Sequence, residues 1–283
     1  MESSKIPVTV VIPTKNEIKN ISRCLDLLDR FQQIVVVDSQ STDGTREAAK
    51  AAGATVVDFN WEPGQLKKRN WVLTHYALDT DWVLFLDADE FVTEAFINAV
   101  DERVRKTEAV GFWLHYRLYF MGKLLRHGVS QKKLALIRSG AGFYEKICDL
   151  GWTELDMEVH EHPILDGPID EILEPIDHLD YKGLFHFIKK HNEYSTWEAN
   201  RYASMRENAD SRFTFRQHVK YRYLESWWFS IAYFIIAYIF QLGFLDGAAG
   251  FRYALYKGIY FFQVRDKIQE LKRANASPVG DKK

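Results

Sequence analysis

The sequence has few cysteines and almost no net charge. Two cysteines among 283 residues are too few for a disulfide framework or a thiolate metal site. A formal net charge of −2 gives no overall attraction to phosphate backbones, so we predict no nucleic acid partner. The N-terminal segment has one lysine, Lys5, before a short apolar run that Pro13 interrupts, which is not the pattern of a secretion signal. We therefore expect most of the chain to lie in a reducing cytoplasm.

Apolar residues are abundant and amount to 47% of the chain, enough for a large core in one or two domains. Up to about residue 105, short β-branched runs alternate with segments of helical periodicity. Asn16 and Thr93 are the predicted N-caps of the first and fourth helices, and Gly53 is the predicted end of the second. The predicted strands cover residues 8–12, 34–37, 55–59 and 82–86. Continuous apolar strands between helices indicate an α/β fold with a mostly parallel sheet covered on both faces.

Polar residues cluster where three of these strands end, at residues 13–17, 38–43 and 87–89. Ligands of open α/β sheets bind outside the carboxyl ends of the strands, so we expect the three turns to form one crevice. Any one of these turns is also typical of ordinary turn chemistry, and the prediction therefore depends on all three together.

Among the residues of these turns, Asp87 and Asp89 are the strongest candidates for a chemical role. Two carboxylates just past a buried strand can share a hard cation that leaves its other positions to water and phosphate oxygens. Mg²⁺ or Mn²⁺ fits such a site, and zinc is disfavoured because no Cys/His cluster is present. Two nearby acids are common by chance, but here WVLFL precedes them and Glu90 follows.

Three runs of this sequence, VTVVIPTKNE, IVVVDSQSTDGT and DWVLFLDADE, resemble the family 2 glycosyltransferases of the GT-A fold. The later chain is similar to a bacterial subgroup that includes the β-1,4-glucosyltransferases of lipopolysaccharide core assembly, through residues 159–161, 176–181 and 189–195. The resemblance implies a nucleotide-sugar-binding half over residues 1–110 and an acceptor-binding and catalytic-base half over residues 111–180. We predict a helical, membrane-associating region over residues 181–273 and a polar tail over residues 274–283.

The resemblance implies that a donor nucleotide lies along the first two turns. The Pro13-Thr14 turn and Glu17 would lie along the nucleoside, Asp38 would accept a hydrogen bond from the base, and Ser41 and Asp43 would shape the pocket. The predicted nucleotide-sugar-binding residues are Pro13, Thr14, Asn16, Glu17, Asp38, Ser41, Asp43, Lys68, Asn70, Asp87, Ala88 and Arg138.

The resemblance places Asp87 near the ribose and the metal, with Asp89 as the direct ligand of Mn²⁺ or Mg²⁺. A Gln-Lys/Arg-Asn triplet is expected after the third strand, and this chain has Lys68-Arg69-Asn70 instead. The role of Lys68 is therefore open, and pairing with the donor diphosphate as a point charge is one alternative.

A sugar transferase also needs a base that takes the proton of the attacking hydroxyl. The resemblance implies an acid beyond the metal loop, and Glu161 is our candidate. A surface acid is the alternative for Glu161, and the competing acids are Glu154, Asp156 and Glu158. Three histidines, His160, His162 and His178, lie in or after this stretch. His160 is the first candidate to complete the metal site, although a pocket or hydrogen-bonding role is the more common use of such residues.

Residues 111–150 mix aromatic and basic side chains. They are typical either of an acceptor site, where sugars stack on aromatic rings, or of core strands with a solvated charged rim. Arg138 is the residue of this segment that we would substitute first.

Residues 226–245 contain no charged side chain, and 20 residues are long enough as a helix to cross a bilayer core. Aromatic residues are spread through this run and basic residues flank it, which favours helices lying in the membrane interface. A membrane span, a re-entrant hairpin, an oligomer contact and a soluble core remain alternatives. The basic and aromatic residues 211–223 would also suit single-stranded nucleic acid, but beside such an apolar run they favour lipid headgroups.

Together these patterns predict an inverting, metal-dependent transferase at the cytoplasmic face of a bacterial inner membrane. It would move a hexose from a UDP-sugar to a glycolipid such as lipopolysaccharide core. The alternatives are a polyprenyl-linked acceptor for capsule or exopolysaccharide, and a non-catalytic scaffold that binds a nucleotide sugar. A sugar nucleotidyltransferase is disfavoured because the turn after the first strand lacks a glycine-rich phosphate loop.

Overall fold

The computed structural model describes residues 5–62, 65–147, 152, 162–179, 183–207 and 215–276. The described residues form two compact units. The first contains residues 5–122, 130–147 and 162–179, and the second contains residues 123–129, 152, 183–207 and 215–276.

The first unit is an α/β structure. Its helices are α1 (Ile21–Leu25), α2 (Thr45–Ala51), α3 (Lys68–His75) and α4 (Glu94–Val104). The strands, in chain order and with β7 in the second unit, are β1 (Ile6–Thr14), β2 (Phe31–Asp38), β3 (Thr55–Asp58), β4 (Trp82–Phe85), β5 (Glu90–Phe91), β6 (Gly111–Phe120), β7 (Lys123–Leu125), β8 (Gln131–Arg138), β9 (Gly142–Tyr144), β10 (Pro163–Leu165) and β11 (Ile169–Leu179).

The main sheet has the strand order β3-β2-β1-β4-β8-β6-β11-β5. The first four strands are parallel, as the sequence predicts. Beyond them β8 runs antiparallel to both β4 and β6, and the short β5 runs antiparallel to β11. The sheet is therefore mixed, and its parallel half carries the turns that follow β1, β2 and β4.

Strand alternation divides the core of the first unit into two layers. Val10 and Leu84 pack in one cluster with residues of α1 and α4, whereas Val11 and Val83 pack in the other with Val72 of α3. Successive side chains of a strand point to opposite faces, so each strand contributes to both layers. The predicted covering of the sheet by helices on both faces is confirmed.

The four predicted strands and their helices are present in the predicted order. Thr93 caps α4, since its hydroxyl accepts a hydrogen bond from the Phe96 amide at 3.2 Å, and Gly53 follows α2 with φ of +83°. The N-cap prediction for Asn16 is wrong. Asn16 is left-handed with φ of 58°, and α1 starts only at Ile21, because the Asn16 side chain bonds the loop after β2 instead.

The second unit is mostly helical. It contains α5 (Gly183–Glu207), α6 (Phe215–Tyr223), α7 (Trp227–Ile235) and α8 (Gly247–Ala276), with a π-helical turn over Ile236–Phe240 and a 3₁₀ turn over Gly243–Asp246 between the last two. Most buried residues of its core belong to α8, and Phe229 and Tyr233 of α7 are partly buried against them. The buried residues are Ala199, Leu224, Tyr260, Phe261, Val264 and Ile268.

The chain bends sharply between α7 and α8. A Cβ atom on Gly250 would lie 2.0 Å from the Gly243 carbonyl oxygen, so the close approach at this bend requires glycine. Asp246 accepts a hydrogen bond from the His127 amide at 2.9 Å. Within the described chain no single helix is both long and apolar enough to cross a membrane. One pair of helical segments has the necessary length and apolar composition together, but it is bent by 73°; the segments are Trp227–Phe240 and Gly243–Asn275.

Candidate active site

The carboxyl ends of β1, β2 and β4 lie side by side because these strands are parallel neighbours. Thr14 and Asp38 are paired in the register of β1 and β2, and the Asp87 loop follows β4 on the other side of β1. The expected convergence of the three turns on one edge of the sheet is confirmed.

Asp38 is fully buried at the end of β2. Its carboxylate accepts hydrogen bonds from the Thr14 hydroxyl at 3.0 Å and from the Ser41 amide at 2.8 Å. The Ser41 hydroxyl donates to the same carboxylate, and Arg46 lies 3.9 Å away. These bonds fix the Asp38 carboxylate at the end of β2.

Asn16, Ser41 and Asp43 connect the turns after β1 and β2. The Asn16 amide donates to the Ser41 hydroxyl at 2.8 Å, and the Asn16 side chain accepts from the Thr42 amide at 2.9 Å. Asp43 accepts from the Ile18 amide at 3.1 Å. Although its partial burial acts in the opposite direction, hydrogen bonds from Thr45 and Ile18 lower the pKa of Asp43. Hydrogen bonds therefore join the two turns.

Side chains of α3 reach the end of β1 and the loop that follows β4. Lys68 is buried, and its ammonium donates to the Thr14 carbonyl at 2.8 Å. Asn70 is also buried and holds the backbone of Tyr144, donating to its carbonyl at 3.0 Å and accepting from its amide at 2.9 Å. Lys68 and Asn70 thus position α3, while Arg69 between them points to the Asp87 loop.

Asp87 lies between two basic side chains. Arg69 Nη2 is 3.0 Å from Asp87 Oδ1, and Lys133 Nζ is 2.7 Å from Asp87 Oδ2. Lys133 also pairs with Glu90, which is 1% exposed and accepts from the Asp87 amide at 3.1 Å. Two cations and two carboxylates are therefore packed at the tip of β4.

The charges of this group depend on one another. Burial raises the pKa of Glu90, and Lys133 opposes that rise. Burial alone would lower the pKa of Lys133, but Asp87 and Glu90 outweigh it and raise that pKa well above its ordinary value. Lys133 is therefore a permanent cation of the loop.

Asp89 lies next to His178 of β11. Asp89 Oδ2 is 3.4 Å from His178 Nε2, and the Asp89 carbonyl accepts from the Leu179 amide at 2.9 Å. Although burial disfavours its charged form, Asp89 raises the pKa of His178. Two buried polar atoms near this loop, His178 Nδ1 and the Tyr116 hydroxyl, have no hydrogen-bond partner among the residues that the structure describes.

This donor set fits a hard divalent cation that is shared with a ligand. Mg²⁺ is commonly held by one or two carboxylates together with phosphate oxygens, and Asp89 with His178 provides one carboxylate and one imidazole. Both oxygens of Asp87 contact protein cations, so Asp89 is the better direct ligand of the two predicted metal-binding acids. The described residues contain no ready-made group of three or more metal-binding side chains.

Several other predicted residues lie apart from these contacts. Arg138 does not join the cluster: it pairs with Trp82 in the register of β8 and β4, so it lies at the opposite end of β4 from Asp87. Ala88 packs in the core. Pro13 is buried at the end of β1, opposite Val37. Glu161 and His160 lie outside the described residues, as do Glu154, Asp156 and Glu158.

We did not predict Arg69, Lys133 or Tyr116 as residues of this site. Lys133 follows an ordinary strand pattern, and only the antiparallel placement of β8 beside β4 brings it to Asp87. Arg69 could have been predicted from the sequence, since it lies between two predicted site residues, Lys68 and Asn70. His178 was considered only among three histidines, and its pairing opposite Glu90 sets it apart.

Comparisons with known proteins agree with this geometry. The family model described as glycosyl transferase family 2 matches residues 9–161. The chain is 28% identical over 211 residues to the lipopolysaccharide core biosynthesis glycosyltransferase LpsC of Rhizobium meliloti, covering 69% of this chain and 72% of that protein. It is 25% identical over 247 residues to an uncharacterized glycosyltransferase of Rickettsia typhi, covering 85% of this chain and 80% of that one.

Among solved structures, the chain is similar to glucosyl-3-phosphoglycerate synthase from Mycobacterium tuberculosis, crystallised with Mn²⁺, UDP and glucosyl-3-phosphoglycerate. That match has 26% identity and covers 41% of this chain and 44% of that one, and its TM-score of 0.31 does not establish a common fold. The family match spans more than half of the chain, including all three turns of the crevice. The chain belongs to glycosyl transferase family 2 and is a glycosyltransferase.

Proposed function

We propose that this glycosyltransferase moves a hexose from a nucleoside diphosphate sugar, UDP-glucose being our first choice, to a glycolipid acceptor with inversion. The observation that carries the proposal is the convergence of Asp38, the Asp87 to Asp89 loop and two basic side chains on one sheet edge. Such an edge offers hydrogen-bond acceptors to a base, charge to a diphosphate and carboxylate to a metal.

The donor nucleoside would occupy the crevice wall formed by the first two turns. Asp38 accepts hydrogen bonds there, and the contacts of Thr14 and Ser41 hold it in place. Arg69 of α3 and Lys133 of β8 would face the diphosphate beside the Asp87 loop, since both side chains end at Asp87. Fixed cations at this point stabilise the negative charge that grows on the leaving group.

Asp89, with His178 beside it, would hold Mn²⁺ or Mg²⁺ in our proposal, and Asp87 would remain near the ribose. When bound, the cation neutralises diphosphate charge as a Lewis acid. Asp89 would orient the donor through that contact, and the Arg69 and Lys133 pairs keep Asp87 in a single position. His160 remains a further metal candidate outside the described residues.

Inversion requires a base on the acceptor side of the sugar, and we assign that role to Glu161. A carboxylate within hydrogen-bond reach of the acceptor hydroxyl would take its proton as the new bond forms. Glu154, Asp156 and Glu158 are the alternatives if Glu161 is not the base.

We assign the acceptor to the glycolipids, with lipopolysaccharide core first and a polyprenyl-linked glycan as the alternative. The name of the Rhizobium meliloti relative supports the first choice. The second unit supports a membrane location, because many apolar side chains of α7, α8 and the turns between them are exposed. We call these residues the apolar surface, and they are Trp227, Trp228, Ile231, Ile235, Ile236, Ile239, Phe240, Leu242, Phe244, Leu245, Phe251, Leu255, Ile259 and Phe262. The cytoplasmic face of a bacterial inner membrane is the location that we propose.

Donor hydrolysis and transfer, measured with UDP-glucose, UDP-galactose, UDP-N-acetylglucosamine and GDP-mannose with and without Mn²⁺, test this function. We expect one UDP-hexose to be used and Mn²⁺ to stimulate the reaction. Asp89→Asn should lose the stimulation, and Glu161→Gln should bind donor normally but transfer at least ~10²-fold more slowly. Arg103→Gln is the control, since Arg103 pairs with Asp170 away from the crevice. If none of these donors turns over and Asp89→Asn binds nucleotide like the wild type, the proposed donor and the proposed metal site are wrong.

A further inference from the structure

The side chain of Tyr116 lies between a partner of Asp87 and a partner of Asp89. Tyr116 belongs to β6, the strand between β8 and β11 in the main sheet. Lys133 of β8, which pairs with Asp87, has its ammonium 5.1 Å from the centre of the Tyr116 ring. On the other side, the ring of His178 of β11, which contacts Asp89, is 6.4 Å away in an edge-to-face arrangement. One tyrosine thus borders the contacts of both acids.

Strand register places these three side chains on one face of the sheet. Tyr116 is paired with Gln131 of β8 and with Ile176 of β11. Lys133 and His178 are each two residues further along those strands, and residues two apart on a strand share a face. Both are therefore diagonal neighbours of Tyr116, and three adjacent strands fix the arrangement.

The Tyr116 hydroxyl is buried and has no hydrogen-bond partner in the part of the chain that the structure describes. The whole residue is only 7% exposed. A buried hydroxyl without a partner destabilises the folded state, and such groups are rare in native proteins. Nδ1 of the neighbouring His178 ring is a second buried atom of this kind. Two such atoms on neighbouring rings beside a ligand site indicate that a ligand provides a missing partner.

The Tyr116 hydroxyl is a hydrogen-bond donor at neutral pH. Burial raises the pKa of Tyr116 well above its ordinary value, the charge of Glu90 adds to that rise, and Lys133 opposes it without reversing it. The hydroxyl is therefore protonated and requires an acceptor. The nearest carboxylates, those of Asp87 and Glu90, accept hydrogen bonds from Lys133.

We propose that Tyr116 binds the donor diphosphate, with its hydroxyl donating a hydrogen bond to a phosphate oxygen. This inference rests on the proposed function, in which Lys133 faces the diphosphate and His178 lies beside a metal at Asp89. A ligand that extends from one of these positions to the other passes Tyr116, which lies between them. Phosphate oxygens are strong acceptors, and hydrogen bonds to them are charge-assisted.

Lys133 covers Tyr116 until the donor binds. Its ammonium lies over the Tyr116 ring, and its side chain is 29% exposed. Lysine has a flexible four-carbon stem, so a phosphate that attracts this ammonium also uncovers the tyrosine. The same cation therefore draws in the diphosphate and opens the way to the hydroxyl.

Binding of UDP, uridine and inorganic pyrophosphate to the full-length protein, with Mg²⁺ in excess, tests the proposal. Isothermal titration gives each Kd for the wild type, Tyr116→Phe and Tyr119→Phe. We expect Tyr116→Phe to raise the Kd of UDP and of pyrophosphate about tenfold or more, since a hydrogen bond to a charged group is lost. The Kd of uridine, which has no phosphate, should stay unchanged. Tyr119→Phe is the matched control and should keep all wild-type values, because Tyr119 lies on the same strand but on its opposite face.

Thermal unfolding without ligand separates a binding role of the hydroxyl from a structural one. Tyr116→Phe removes a buried hydroxyl that has no partner, so we expect its Tm to equal or exceed that of the wild type. A lower Tm together with weaker binding of all three probes would make the hydroxyl structural and would overturn the proposal.

The three probes also distinguish this proposal from the proposed function. Equal affinity of Tyr116→Phe and the wild type for UDP and pyrophosphate would overturn the role of Tyr116 and leave UDP as the donor nucleotide. A wild type that binds pyrophosphate but not UDP, with weaker pyrophosphate binding in Tyr116→Phe, would support the Tyr116 contact and contradict UDP. A wild type that binds none of the three would overturn both proposals.

Discussion

At the scale of single residues, the contacts of Asp87 and Glu90 determine the charge of the donor loop. Lys133 pairs with both carboxylates, and Arg69 pairs with Oδ1 of Asp87. Glu90 is buried, so its charge depends on Lys133. Substitution of Lys133 should therefore destabilise the loop even when no ligand is bound.

We predict that Lys133→Met lowers the free energy of unfolding by about 2–3 kcal/mol. This lies below the range of about 3–5 kcal/mol for breaking a buried ion pair, because the Lys133 side chain is 29% exposed. Urea denaturation measures the change. The double variant Lys133→Met/Glu90→Gln should recover at least half of the loss, because it no longer leaves a buried carboxylate without a cation.

Lys132→Met provides the comparison for this prediction. Lys132 is the preceding residue of β8, but it pairs with Glu171 at 3.2 Å and is 45% exposed. We expect a change within about 0.5 kcal/mol for this substitution, as for other exposed pairs. Purely additive effects of the Lys133 and Glu90 substitutions would show that the two groups do not interact.

At the scale of helices and strands, Asn70 fastens α3 to β9. Its side chain makes two hydrogen bonds with the backbone of Tyr144, and both partners are buried. From the sequence we predict Asn70 as a donor-binding residue. These contacts give it a second role, because the helix that it holds also carries Lys68 and Arg69 to the crevice.

We predict that Asn70→Ala lowers the free energy of unfolding by about 2–3 kcal/mol, since it removes two buried hydrogen bonds to the Tyr144 backbone. Urea denaturation checks this. Thr74→Ala is the control on the same helix, since the Thr74 hydroxyl bonds the Asn70 carbonyl within α3. A normal stability of Asn70→Ala with a raised KM for the donor would instead make Asn70 a direct donor contact.

For these elements, the sequence predicts the features that depend on local pattern but not those that depend on long-range strand pairing. The strands ending at Thr14, Asp38 and Phe85 were predictable because apolar periodicity is local, and parallel order then brings their ends together. The position of Lys133 was not predictable, because it depends on β8 pairing with β4, a strand some fifty residues earlier. Asn16 failed as a helix cap for a related reason, since its partner Thr42 belongs to another turn.

At the scale of the whole molecule, apolar exposure is uneven. The apolar surface lies on α7, α8 and the turns between them, and its residues recur every four positions on each helix, as in Trp227, Ile231 and Ile235, and in Phe251, Leu255 and Ile259. Such spacing gives each helix one continuous apolar stripe. Exposed stripes of this extent mark a membrane or a protein contact, and basic residues such as Arg222 of α6 and Arg252 of α8 are also exposed in this unit.

We predict that replacing Ile235 and Phe240 together with aspartate weakens binding to vesicles containing phosphatidylglycerol by at least tenfold. Burying a large apolar side chain is worth about 1.5–3 kcal/mol, and a carboxylate at the same place opposes insertion and is repelled by anionic lipid. Co-sedimentation with vesicles measures the change. Leu173→Asp is the control, because Leu173 is 67% exposed on β11 of the first unit and lies outside the apolar surface. Analytical ultracentrifugation without lipid tests the competing use of the surface. A wild-type oligomer that dissociates in the double variant, with vesicle binding absent in both proteins, would assign the apolar surface to a contact between copies of the chain.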